Sequence, residues 1–120
     1  MSQVIDIAKI AEDLQAFATE REWQQFHSPK NLAMALSCEA SELLEIFLWL
    51  TEKESHDLIN QPTTLEKVEH ELADVMLYLI RLADLLKINL PKAIETKFKI
   101  NQKKYPADQV KGSAKKYNEY

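Results

Sequence analysis

The sequence predicts an all-α fold, built as a four-helix bundle. Three observations carry that prediction. The 120 residues include a single glycine, Gly112. Tight β-hairpins need residues that accept positive φ, chiefly glycine and Asn-Gly or Asp-Gly pairs, so a sandwich or barrel lacks its turns here. Four segments space their apolar residues three and four apart, the helical period. Prolines and good capping residues stand where three of those segments begin. At 46% hydrophobic and 28% charged, the chain suits one domain with one core.

The first predicted helix runs from about Val4 to Arg21, with Ile7, Ala11, Leu14, Phe17 and Ala18 at helical spacing. The second opens at Ser28-Pro29 and runs to about Leu50. Serine is a good N-cap, and proline fits the first turn because its missing N–H is not needed there. Residues 51–62 read as a polar, charge-rich connection. The third helix opens on Thr63-x-x-Glu66, the pattern of a capping box, and runs to about Lys87. The fourth starts around Asn89–Pro91 and ends near Tyr105, since Pro106 disfavours helix at the preceding residue. Two regions follow from this reading: an all-α domain over residues 1–106 and a polar, basic tail over 107–120, expected to be extended.

Charge divides the chain unevenly. Residues 1–86 hold 6 basic and 16 acidic side chains, whereas 87–120 hold 9 basic and 3 acidic. That asymmetry suits an acidic metal site facing a basic phosphate-binding segment, or simply a solvated basic tail. One glycine cannot build a Walker-type phosphate loop or a dinucleotide fingerprint. The longest apolar runs, Ile46–Leu50 and Val75–Ile80, are far too short to span a bilayer. The first 15 residues lack a basic start and a cleavage site, and the lone Cys38 cannot form an internal disulfide. A cytoplasmic protein without a membrane partner is expected.

Helical wheels give the central observation. At about 100° per residue, Glu39 lies within about 40° of Leu32, Ala35, Leu43, Ile46 and Leu50. Glu71 lies equally close to Val75, Tyr78, Leu82 and Leu85 on the third helix. Each apolar stripe thus holds a carboxylate, with a second acid three residues later at its edge, Glu42 and Asp74. Isolated buried carboxylates are unfavourable, and four together repel. Only Lys67 and Arg81 lie near these stripes as counter-ions, so divalent cations are the natural remedy, and carboxylate oxygens suit Mg²⁺ or Mn²⁺. Apolar residues at further angles (Leu44, Leu48, Met76 and Ile80) suggest surface left over for self-association.

Glu39-x-x-Glu42, then 28 residues, then Glu71-x-x-Asp74 resembles the signature of the MazG-like all-α nucleoside triphosphate pyrophosphatases. Phe26–Leu32, Phe47 with Trp49, Asn101-x-x-Lys104-Tyr105-Pro106, and Gly112-Ser113 leading to Lys116-Tyr117 are similar to the dCTP pyrophosphatase branch. The resemblance implies hydrolysis of a (d)NTP, such as dCTP or a related pyrimidine or modified nucleotide, to monophosphate and pyrophosphate. It implies that Glu39, Glu42, Glu71 and Asp74 hold Mg²⁺, with Glu39 also orienting or deprotonating the attacking water. It assigns Lys97, Asn101, Lys104, Tyr105 and Tyr78 to phosphates and sugar, and it implies an aromatic base pocket. Trp49, Trp23, His27 and Phe17 are the candidates for that pocket, Trp49 because it flanks Glu42 on the wheel. A homodimer or homotetramer is implied too. A non-catalytic nucleotide- or metal-binding helical oligomer, serving as sensor or partner subunit, is the alternative.

Other motifs carry less. His56-Asp57 falls in the polar connection, without the further ligands an HD-type phosphohydrolase needs. His70-Glu71-x-x-Asp74 lacks the second histidine of a zinc protease helix. Cys38 has no histidine partner and reads as a small buried hydrophobe. No recognition motif supports a nucleic-acid partner.

Overall fold

A computed structural model describes residues 3–114 of the chain. They form six α-helices and two 3-10 turns, and no strand occurs among them. No helix among them is long and apolar enough to cross a membrane. Helix α1 spans Ile7–Glu20, α2 Pro29–Phe47, α3 Glu52–His56, α4 Pro62–Leu85, α5 Leu90–Lys104 and α6 Ala107–Val110. The chain divides between Lys87 and Ile88 into two compact units.

In the first unit, α4 is the central element, with α2 along one side and α1 along another. Asp6 caps α1 by accepting from the Lys9 N–H at 3.0 Å. The same helix ends in a Schellman turn: the Trp23 N–H donates to the Ala18 carbonyl and the Glu22 N–H to that of Thr19. Glu22 takes the left-handed position, φ 56°, where glycine is usual. Ser28 caps α2 and Pro29 occupies its first turn, as the sequence suggests. That helix stops at Phe47, three residues before the expected end. Thr51 starts α3 with an extended backbone and a complete capping box, so the preceding helix has to end first.

Residues 51–62 are therefore not a plain connection. They hold α3 and a 3-10 turn, Asp57–Asn60, whose Leu58 is buried and whose turn packs on α4. The capping box expected at Thr63 and Glu66 does not form either. Pro62 takes the first helical position behind Gln61, which places Thr63 inside the helix.

Ala18, Leu32, Leu58, Val68, Ile80 and Ala83 make up the buried core. Ile80, expected on a face left for self-association, is only 1% exposed. It lies off the Glu71 stripe, but α4 has α1 as well as α2 packed on it, so more than one of its sides is covered. Leu44 and Leu48 do remain half exposed. Cys38, expected to be buried, is exposed, because it falls on the side of α2 away from the Leu32–Leu43 stripe.

The second unit holds α5 and α6. Asn89 caps α5 by accepting from the Lys92 N–H at 3.1 Å, and Pro91 sits in its first turn. The expected extended tail instead begins with α6, followed by a turn in which Gly112 adopts φ 77°. Residues 115–120, which include Lys116 and Tyr117 of the family-like tail, lie outside the described residues.

Candidate active site

Two helices with apolar stripes bring their stripe carboxylates face to face. Because α2 and α4 pack along those stripes, Glu39 and Glu71 meet in the interface. One carboxylate oxygen from each of Glu39, Glu42 and Glu71 lies within 4.8 Å of the others. Oε2 of Glu39 and Oε2 of Glu71 are buried and have no hydrogen-bond partner. No ion pair reaches any of these acids among the described residues. The Glu71 carboxyl, partial burial and the neighbouring Glu42 together push the Glu39 carboxyl up to about 7. Like charges this close favour the neutral acid unless a cation intervenes.

Three hard oxygen donors with two buried, unsatisfied lone-pair sites fit a divalent cation. They do not fit a structural salt bridge, for no cationic side chain among the described residues pairs with them. Asp74, the fourth expected ligand, stands one turn past Glu71 but is not part of the close oxygen group. It lines a neighbouring cavity instead.

That cavity, of about 560 Å³, is walled mostly by apolar atoms from α1, α4 and the link before α2. Phe17, Trp23, His27 and Tyr78 contribute rings, and Asp74 and Arg81 add charge. Phe17 and Trp23 meet edge to face, centroids 5.7 Å apart, and Trp23 meets His27 in the same manner at 6.3 Å. The Arg21 guanidinium stacks over Phe17 at 3.6 Å. A concave, mostly apolar cavity with aromatic walls and a few polar groups has the character of a small-molecule site.

The structure thus brings Phe17, Trp23, His27 and Tyr78 together beside the carboxylate helix. Trp49 is not among them. It lies beyond the end of α2, is 88% exposed, and does not line the cavity. Its wheel angle assumed a helix that reached Leu50. Lys97, Asn101 and Lys104 lie on α5, and Tyr105 caps that helix. They belong to the second unit.

Sequence reasoning missed the part played by Arg81. It is 3% exposed, donates through Nε to Nδ1 of His27 at 3.2 Å, and donates through Nη1 to Oε1 of Gln15. The sequence signal was an arginine directly between Ile80 and Leu82 on the core side of α4.

Fold and site together define an all-α protein with a carboxylate cluster beside an aromatic cavity. A sequence model of the MazG-like family matches residues 34–120. The chain belongs to the MazG-like family. It is 42% identical over 103 residues to dCTP pyrophosphatase 1 of Homo sapiens and 41% identical to that of Rattus norvegicus, covering 86% of this chain. The chain spans 61% of the length of those relatives. The crystal structure of a pyrophosphatase from Archaeoglobus fulgidus DSM 4304 superposes with a TM-score of 0.77 at 36% identity, over 88% of this chain and 97% of that one.

Proposed function

We propose that this chain hydrolyses a nucleoside triphosphate, dCTP or a related pyrimidine or modified nucleotide, to the monophosphate and pyrophosphate. The observation that carries the proposal is the meeting of Glu39, Glu42 and Glu71, with two oxygens buried and unpaired, next to an aromatic cavity. The names of the mammalian relatives and of the archaeal neighbour support the same reaction.

Glu39, Glu42 and Glu71 would hold Mg²⁺ or Mn²⁺, with Asp74 completing the set from the cavity side. A divalent cation bound there supplies charge neutralisation for the triphosphate and polarises its phosphoryl oxygens. Glu39 orients the attacking water and takes its proton, a role that needs the ionised carboxylate. Phe17 and Trp23 hold the base by stacking, His27 adds a polar edge that discriminates between bases, and Tyr78 adjoins the sugar. Lys97, Asn101, Lys104 and Tyr105 serve the phosphates, a role suited to the cations that close α5. The half-exposed Leu44 and Leu48 support assembly as a dimer or tetramer. Nucleic acid is not part of this reading, and the setting is cytoplasmic.

Purified protein with Mg²⁺, offered each of the eight common triphosphates, tests the proposal. Release of pyrophosphate and monophosphate from at least one is the expected result. Release of orthophosphate, or no turnover of any, refutes it. Nucleotide binding without product would instead favour a sensor or partner subunit.

A further inference from the structure

Arg81 is the buried charged residue of the described chain, and nothing in the proposed reaction uses it. A guanidinium taken out of water is unfavourable unless its donors are met. Its nearest carboxylate, Asp84, stands 4.0 Å away, too far for a hydrogen bond. Two neutral acceptors hold it instead, His27 Nδ1 and Gln15 Oε1.

This arrangement constrains the imidazole. Arginine nitrogens donate and never accept. The His27 nitrogen facing Nε therefore carries its lone pair, and the ring proton resides on Nε2. Burial, and secondarily the Arg81 cation, hold the His27 pKa below the usual histidine value, which keeps the ring in this form. Arg81 and His27 both line the cavity. The donors these two residues keep unused by the bonds above are His27 Nε2–H and Arg81 Nη2. The other ionisable groups on the cavity are Asp13, already paired with Lys9 at 2.7 Å, Asp74 on the carboxylate side, and Tyr78.

We propose that Arg81 is a positioning residue that fixes His27 as a neutral Nε2–H donor, so that the cavity selects a pyrimidine with two adjacent acceptors on its edge. A 2-oxo group beside an unprotonated ring nitrogen, the edge of cytosine, fits such a wall. Uracil and thymine carry N–H at that ring position, which sets donor against donor. This inference rests on the nucleotide-binding reading of the cavity given above and adds the residue that decides which base is kept.

Two measurements test it. Long-range ¹H–¹⁵N spectra of histidine-labelled protein read the tautomer of His27 directly. The expected result is a protonated Nε2 and a bare Nδ1 in the wild type at neutral pH, and a mixture in Arg81→Met. Protonation of Nδ1 in the wild type overturns the proposal. The second measurement titrates dCMP and dTMP into wild type and Arg81→Met, followed at the Trp23 indole signal. Wild type is expected to prefer dCMP by at least about tenfold, and the variant to lose most of that preference. An unchanged ratio, or equal weakening of both ligands, overturns the proposal, since a packing role alone would do that. Arg81→Lys, which keeps the charge but not the planar fork, serves if the methionine variant does not fold; its preference should also fall. Wild type binding both monophosphates equally sinks this inference alone. Wild type binding neither sinks the nucleotide reading of the cavity and this inference with it.

Discussion

Glu71→Gln offers the most direct probe of the carboxylate cluster. Glutamine keeps the volume and exchanges one carboxylate oxygen for an amide N–H donor. In the metal-free protein at pH 8, Glu39 and Glu71 hold carboxylate oxygens within 4.8 Å of each other, and each also has one buried, unpartnered oxygen. The amide gives Glu39 a charge-assisted hydrogen bond and removes one of the repelling charges. Such a bond contributes about 2 kcal/mol. For a chain of this size about 1 kcal/mol moves the melting temperature by about 4 °C, so the variant should melt about 8 °C above wild type without metal. Mg²⁺ reverses the logic. At about 100 times its dissociation constant, a cation stabilises the wild type by about 2.7 kcal/mol, or about 10 °C. Losing one of the carboxylate ligands weakens binding by about 100-fold or more, which leaves the variant a shift of about 2 °C or less. Thermal scans with chelator and with Mg²⁺ measure all four values. A variant that melts below wild type in chelator, or that keeps the full Mg²⁺ shift, refutes the metal-site reasoning.

Three further outcomes are expected. Glu39 titrates at about 7 in the folded, metal-free chain against 4.5 for the free side chain, so the folded state holds the extra proton between those values. Its contribution to stability is therefore fully present below about pH 4.5 and lost as pH rises through 7. The stability difference between wild type and Glu39→Gln in chelator should follow that course, and the Mg²⁺ shift should shrink as pH falls below 7; a flat difference from pH 4 to 8 would contradict it. Leu44→Glu with Leu48→Glu, on half-exposed positions, should turn an oligomer into a monomer in sedimentation velocity while changing chain stability by about 0.5 kcal/mol or less. Thr51→Ala removes the Oγ1 that accepts from the Glu54 N–H at 3.1 Å while leaving the Thr51 N–H bonded to the Glu54 carboxylate, and should lower stability by about 1 kcal/mol, read by denaturant titration.

The carboxylate cluster was legible because a helical period is a local property. Glu39 and Glu71 lie in stripes that any wheel exposes, and two helices with such stripes bury them most simply against each other. Phe17, Trp23 and His27 were legible as aromatic candidates, though only the turn after α1 shows why they gather in one wall. Trp49 shows the limit of the same method: an angle on a wheel holds only while the helix lasts, and Thr51 ends α2 early. The capping-box pattern occurs at Thr51 and again at Thr63, and the second is silenced by a proline one residue earlier. Arg81 was legible as a cation beside the stripe but not in its pairing, since its partners lie 54 and 66 residues away in sequence. Long-range pairing of that kind leaves no periodic trace.

Glu22 has a consequence for stiffness at the aromatic cavity. Its left-handed backbone delivers Trp23 directly from the end of α1 to the cavity wall. Glycine at this position would relieve about 1 kcal/mol of steric strain, yet would free the unfolded chain by a similar amount, so net stability would hardly move. What would change is the hinge: the tryptophan would hang from the most pliable residue in the repertoire instead of one with few alternatives. A chain nearly devoid of glycine accepts strained turns, and at this corner the strain is what keeps an aromatic wall from swinging.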